Sequence, residues 1–363
     1  MSSQFIRWGI LGTGFIAGEF AKGLSSVARA QLLGIASRKS ANAKTFAQLF
    51  KVPKAYDSYE QLVQDPDIDV VYIATPNHTH KDLCILCLKA GKPVLCEKPF
   101  ALNAQEASEI IEVARRQQVF CMEAMWMRFM PLIKEAKTAI KEGKIGDVKM
   151  LTADFGYPAK YDSESRFFQP QFGGGALLDR GIYGVSLAYY LLGAPSKIVT
   201  QATFAPSGVD EQSSILLNYP QGKLAILSQS LSTYSSNQAV IMGTTGKIVL
   251  HELFIKPEKI SIAKFAQLTQ SYPSPLIPLS FKQKLVAAAK NNSAIKRLYL
   301  NLSGLLSSDK VKIKPLAGNG YNYEAEEVMN CLENAQLESK IMPLDETLKI
   351  MEAADYIASQ WKK

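Results

Sequence analysis

The hydrophobic pattern of this 363-residue chain changes character once. Through about residue 125, short continuous apolar runs alternate with amphipathic stretches; from Val148 onward, apolar and polar residues alternate singly. Continuous runs predict strands buried on both faces, as in a parallel sheet covered by helices. Ile6–Leu11, Leu32–Ala36, Val70–Ala74, Pro93–Leu95 and Val119–Ala124 are such runs. Helical stretches between them reach about Leu24, end at Lys89, and span Ala104–Gln117. Together they predict a six-strand, doubly wound domain over residues 1–125. Single alternation predicts a mostly antiparallel sheet with one face covered and one partly open. Its strands are Lys149–Tyr157, Lys197–Phe204, Ser213–Asn218, Leu224–Leu231, Ala239–Met242 and Lys247–Leu250. Turns at Tyr219-Pro220-Gln221-Gly222 and Thr244-Thr245-Gly246 separate some of them. Helices near Tyr323–Gln336 and Leu344–Trp361 end an α+β domain over 126–363 and cover its sheet or brace the first domain. An open sheet face is a common dimer surface, so a homodimer is expected.

The first strand runs into Gly12-Thr13-Gly14-Phe15-Ile16-Ala17 and then a helix. This is the dinucleotide fingerprint of a Rossmann domain: Gly12 for the tight turn, Gly14 for approach of the pyrophosphate, Ala17 for close helix packing. The helix N-terminus turns its free N–H groups toward phosphate. Where an NAD site carries Asp or Glu for the ribose, the second strand ends in Ser37-Arg38-Lys39, which suits a 2′-phosphate. NADP is therefore expected over NAD, with a solvated basic turn as the plainer reading. Thr75, Pro76 and Asn77 end another strand at the ligand edge and are expected to line the nicotinamide ribose, with His80 capping or orienting their loop. His78, His80, Cys84 and Cys87 invite a metal reading. Cys84 and Cys87, however, share an apolar helix face with Leu83, Leu86 and Leu88, so packing is expected and no metal. Cys96-Glu97-Lys98-Pro99-Phe100 follows a buried run, where a lysine can be desolvated and given a chemical task.

At the crossing between domains, Trp126 and Phe129 could wall a ring-shaped substrate and Arg128 could hold a polar group on it. Equally, the aromatics could be interdomain core and Arg128 a structural ion pair. Phe155 is placed with the substrate as well. Gly173-Gly174-Gly175 opens a helix on which Asp179 and Tyr183, four residues apart, share a face. Arg166, in the polar aromatic loop ahead of those glycines, could close over substrate or simply lie on the surface.

In this order, Gly12-x-Gly-x-x-Ala, Thr75-Pro-Asn, Glu97-Lys98-Pro99 and Gly174-Gly-Ala-x-x-Asp-x-Gly resemble the Gfo/Idh/MocA oxidoreductases over most of the chain. Met122-Glu-Ala-x-Trp-x-Arg-Phe-x-Pro and Asp179-x-Gly-Ile-Tyr183 look most like the branch of dimeric dihydrodiol dehydrogenases and NADP-dependent D-xylose dehydrogenases. The resemblance implies a Rossmann domain, an open-sheet second domain, NADP, and Lys98 with Tyr183 as the catalytic pair, beside a cofactor site that includes Glu97. Tyrosine stands where many relatives carry histidine. A phenol of ordinary pKa, about 10, is a poor base at neutral pH, and a neighbouring ammonium lowers that value. Tyr183 is thus expected as acid/base, Lys98 as its electrostatic partner and Asp179 as an orienting group. The substrate is expected to be a cyclic polyol, a sugar or a trans-dihydrodiol. The alternative is a non-catalytic NADP-binding regulator on the same fold.

Charge changes this picture little. Forty-one Lys and Arg against 33 Asp and Glu give +8, suited to an anionic small ligand, and no nucleic-acid motif appears. No run of about 18 uncharged apolar residues offers a membrane span. The start lacks a secretory apolar segment, and five cysteines in apolar or helical contexts imply reduced thiols and a cytoplasmic home. The departure from the branch is a basic insertion over about 268–310, where Phe281–Lys290 and Ile295–Leu302 predict two amphipathic helices packed on the surface.

Overall fold

The computed structural model describes residues 5–265 and 310–361. Strands β1 (Ile6–Leu11), β2 (Ala30–Ala36), β3 (Lys54–Tyr56), β4 (Val70–Ile73), β5 (Val94–Glu97) and β6 (Cys121–Ala124) form one sheet. Its order is β3-β2-β1-β4-β5-β6, and every pair is parallel. All residues of β4, β5 and β6 are buried, which is why these strands read as unbroken apolar runs. The helices α1 (Phe15–Leu24), α2 (Ser40–Phe50), α3 (Tyr59–Gln64), α4 (His80–Lys89) and α5 (Ala104–Gln117) connect them. Asn103 starts α5 by accepting the Glu106 N–H at 2.9 Å, and the helix buries Ala107, Ile110, Ile111 and Ala114. On α4, Leu83, Cys84, Cys87 and Leu88 are all buried, so these thiols serve as apolar packing. Among the described residues, no group of three or more His, Cys, Asp or Glu is placed to hold a metal ion. The sixth strand, β3, is three half-exposed residues at the sheet edge, too short and too polar to show a pattern.

The second sheet has eight strands. They are β7 (Val148–Gly156), β8 (Lys197–Phe204), β9 (Asp210–Asn218), β10 (Leu224–Ser230), β11 (Ala239–Gly243), β12 (Gly246–Leu250), β13 (Lys259–Lys264) and β14 (Lys310–Ile313). The order is β14-β13-β12-β11-β7-β10-β9-β8, antiparallel except for the β7–β10 pair. One face buries Leu151, Ala153, Ile215, Leu217, Ala225 and Leu227, with α7 (Ile182–Leu192) packed on β7 and β10. Helix α6 (Pro131–Lys141) follows the crossing between the two sheets. The last helices, α8 (Tyr321–Glu333) and α9 (Leu344–Ser359), return to the first domain: α8 packs on α1 and α9 on α5. α9 also packs on α7 and reaches β8, so it both braces the first domain and touches the second sheet. The expected insertion helices lie outside the described residues, except that Lys310 begins β14. No helix among the described residues is long and apolar enough to cross a membrane.

Candidate functional site

The order of the first sheet reverses between β1 and β4, whose C-terminal ends therefore open a crevice. A cavity of about 1010 Å³ lies there and continues to the second sheet. Gly12, Thr13, Gly14, Phe15 and Ile16 line it after β1, Ser37, Arg38 and Lys39 after β2, and Thr75, Pro76 and Asn77 after β4. Glu97 and Lys98 enter it from β5, and Phe155, Arg166, Asp179 and Tyr183 from the second sheet's side. Asn42, Tyr59, Tyr157, Arg180 and Tyr321 also line it; none of them belongs to a motif that singles it out in the sequence.

The two fingerprint glycines answer different demands. Gly12 has φ +105°, and a Cβ there would lie 2.4 Å from the Ala74 carbonyl oxygen, so the fold itself requires glycine. A Cβ on Gly14 would meet nothing within 4 Å. Only an occupant of the cavity would need that position bare. Gly14 is also the N-cap of α1; no side chain caps the helix, and its first turn carries no acidic residue. Uncapped N–H groups at a helix start, bare backbone before them and the exposed Arg38 and Lys39 alongside fit a dinucleotide phosphate.

Lys98 and Tyr183 meet across the cavity. The Lys98 ammonium donates to the Asp179 carbonyl oxygen at 2.8 Å, has an Asp179 carboxylate oxygen at 3.7 Å, and lies 4.7 Å from the centre of the Tyr183 ring. Burial alone would lower the Lys98 pKa, but Tyr183, Asp179 and Glu97 together hold it above the ordinary lysine value. Tyr183 goes against expectation. Burial pushes its phenol up further than the Lys98 charge and a hydrogen bond from Trp126 pull it down, so its net shift is upward. A wide π-type turn over Leu177–Gly181 runs into α7 and carries Asp179. The Asp179 carboxylate faces Lys98 and Arg166, each at 3.7 Å, and Arg180 at 3.5 Å. Glu97 accepts from the Tyr72 hydroxyl and from the Lys98 N–H at 3.1 Å.

Two expected positions, Arg128 and Trp126, fall outside the cavity lining, and His80 acts behind it. Arg128 is fully buried and does not reach the cavity. Its guanidinium donates to the Ser186 hydroxyl at 2.8 Å and carbonyl at 2.9 Å, and pairs with Glu346 at 2.5 Å, so it is the structural ion pair. Trp126 stands behind the wall: its indole N–H donates to the Tyr183 oxygen at 2.9 Å. His80 is buried with each ring nitrogen 2.9 Å from a carbonyl oxygen, of Pro99 and of Thr75. It ties the loops after β4 and β5 together, the orienting role expected of it, and does not line the cavity. Asp210 was not anticipated. Its carboxylate accepts the Leu177 N–H at 2.7 Å and fills the space beside Gly175, anchoring the turn that carries Asp179. Burial pushes its pKa up to about 7. A carboxylate that caps a helix from another strand leaves no local pattern to read.

The family model described as "Oxidoreductase family, NAD-binding Rossmann fold" matches residues 6–125, and that of the GFO/IDH/MocA C-terminal domain matches 133–249. The chain belongs to the Gfo/Idh/MocA oxidoreductase family. It is 34% identical to the trans-1,2-dihydrobenzene-1,2-diol dehydrogenase of Xenopus laevis, covering 98% of this chain and 97% of that one. It is 33% identical to the Homo sapiens enzyme of the same name, covering 94% and 92%. In structure it is similar to KijD10, a 3-ketoreductase from Actinomadura kijaniata in complex with NADP and TDP-benzene, with a TM-score of 0.78, 23% identity and coverage of 99% and 98%. The aldose-aldose oxidoreductase from Caulobacter crescentus matches with a TM-score of 0.79, 20% identity and 98% coverage of both chains. At those identities the two structures speak to fold alone.

Proposed function

We propose that this oxidoreductase uses NADP to interconvert a secondary alcohol and a carbonyl on a cyclic polyol, a sugar or a trans-dihydrodiol. Tyr183 is its acid/base and Lys98 its electrostatic partner. The observation that carries the reading is the meeting of Lys98 and Tyr183 in the crevice that the fingerprint loop opens. The nicotinamide supplies or accepts the hydride; the chain's residues hold the substrate and manage the proton. In the reducing direction the Tyr183 O–H bond breaks as the alcohol O–H forms. The Lys98 charge and the Trp126 N–H then stabilise the phenolate left behind. Since burial raises the Tyr183 pKa, the phenol is present at neutral pH and ready to donate. Reduction therefore persists through neutral pH and is lost as pH rises through that pKa, whereas oxidation gains with pH. Arg38 and Lys39 select the 2′-phosphate, Phe155 and Arg166 border the substrate, and Asp179 orients Lys98.

Within this reading the chain divides at residue 125 into nucleotide-binding and substrate-binding domains. Residues Val199, Leu216, Ile226, Val240 and Val249 form a partly exposed row across the second sheet's open face, which supports a homodimer. Five buried free thiols fit a reducing compartment, the cytoplasm. The regulator alternative draws no support from the named relatives, all of which carry enzyme names.

The test is a panel of sugars and trans-dihydrodiols assayed with NADP and NAD on the wild-type chain and on Tyr183→Phe. Turnover with NADP preferred, and a loss of kcat of roughly 10²–10⁴-fold in the variant with cofactor affinity kept, is expected. Near-normal turnover by Tyr183→Phe would falsify the role of the phenol.

A further inference from the structure

Gly318-Asn319-Gly320-Tyr321 opens α8 outside the fingerprint loop and the Lys98–Tyr183 pair; Tyr321 borders the cavity, and the three residues before it lie behind the lining. Tyr321 stacks flat on Trp126, with ring centres 4.7 Å apart and planes 7° from parallel, and meets Phe20 of α1 edge-on at 6.5 Å. Trp126 in turn gives its single N–H to the Tyr183 oxygen at 2.9 Å. The turn is fitted to this stack on both sides. A Cβ at Gly320, whose φ is +105°, would lie 2.8 Å from the Trp126 ring and 2.9 Å from the Met130 methyl carbon. A Cβ at Gly23 of α1 would lie 2.6 Å from the Asn319 side-chain oxygen and 2.8 Å from the Tyr321 Cβ. The Asn319 amide donates to the Glu19 carbonyl at 2.8 Å, fastening the turn to α1.

An indole is a donor only, and its N–H points where the plane of the ring points. A flat stacked neighbour fixes that plane while leaving the edge free. We propose that Tyr321 is a positioning residue for Tyr183: its ring holds the Trp126 indole at the angle that delivers the N–H to the phenol oxygen. This rests on Tyr183 being the acid/base, as proposed above. The other groups bearing on the phenol are Lys98 and Glu97 from the end of β5, Asp179 from the π-type turn, the Tyr321 hydroxyl from α8 and the Phe155 ring from β7. Of these only Lys98 favours the phenolate, as the Trp126 N–H does; Glu97 and Asp179 oppose it. Losing the Trp126 contact therefore makes Tyr183 harder to ionise, and loosening the stack from the Tyr321 side acts in the same direction.

The experiment compares wild type with Trp126→Phe, Tyr321→Leu, Tyr321→Phe and Tyr183→Phe, each checked for a cooperative thermal transition. Two quantities are read: the pH dependence of kcat for alcohol oxidation, and the ultraviolet tyrosinate titration of the unliganded protein, taken as a difference from Tyr183→Phe. Trp126→Phe is expected to move both toward higher pH by about one unit, a hydrogen bond to a charged group having that order of strength. Oxidation at fixed pH then falls about tenfold in kcat with a smaller change in KM. Tyr321→Leu is expected to shift both the same way, and Tyr321→Phe, which keeps the ring, to restore them. If Tyr321→Leu does not fold, Tyr321→Met serves in its place. A folded Tyr321→Leu or Tyr321→Met with both curves at the wild-type position overturns the inference, as does a Tyr321→Phe no better than Tyr321→Leu. Turnover surviving in Tyr183→Phe would instead overturn the reading of Tyr183 itself, and so separates the two failures.

Discussion

The fingerprint loop and the Lys98–Tyr183 pair lie in one crevice but are built in opposite ways. The loop is local: Gly12 to Ile16 are consecutive, and what they offer is backbone N–H groups and empty space. The pair is assembled from residues far apart in sequence, and what it offers is charge in a buried place. Its ammonium is balanced by Asp179, itself faced by Arg166 and Arg180, and its phenol is steadied by a tryptophan from a third segment. A site made of backbone asks little of its surroundings. One made of buried titratable groups needs a supporting shell, because an uncompensated buried charge costs several kcal/mol. The contrast locates fragility: the loop should fail through single glycines, the pair through any member of its shell.

The largest effect tests the pair. Lys98→Met is expected to lower kcat roughly 10³-fold, through loss of the charge that favours the phenolate, while the thermal transition stays cooperative. A variant still within tenfold of wild type in steady-state assays would show that the ammonium is dispensable. Next come the two glycines, which should separate cleanly. Gly12→Ala is expected to cost the fold about 3 kcal/mol in denaturant unfolding, from a left-handed backbone and a clash with the Ala74 carbonyl. Gly14→Ala should leave stability within about 0.5 kcal/mol and weaken NADP about tenfold by calorimetry, because its Cβ enters only ligand space. Equal stability losses in the two would mean that the fold, not the ligand, requires both glycines. The smallest effect concerns cofactor choice. Arg38→Ala should weaken NADP by about tenfold and NAD hardly at all, one charge-assisted contact having that worth; parallel losses for both would remove Arg38 from the 2′-phosphate.

Some of the crevice could be read residue by residue, and some could not. Gly12-x-Gly14, Thr75-Pro76-Asn77 and Glu97-Lys98 each follow a strand, so their side of the crevice follows from the alternation of runs and turns. Asp179 and Tyr183 were visible through glycines and a four-residue spacing. Arg128 was not: its motif fits a ligand contact and an ion pair alike, and only Ser186 and Glu346, distant in sequence, settle it as the latter. Trp126 likewise lies one layer behind the wall, a depth that spacing does not report. Asp210 had no signature at all, since its partners are backbone groups of another segment. The Tyr183 pKa was expected to fall beside a cation; full burial, a property of the assembled core, outweighs that cation.

By itself the amino-acid sequence determined the two kinds of sheet and the glycine turn after the first strand, and it singled out Lys98 at a strand end and Tyr183 beyond the glycines, which the fold then brings together. These are legible because local periodicity and glycine placement act over a few residues. Tertiary structure alone decided which side chains face the cavity, which stand behind them, and which way burial tips each proton equilibrium. Those depend on desolvation and on neighbours that only packing brings together.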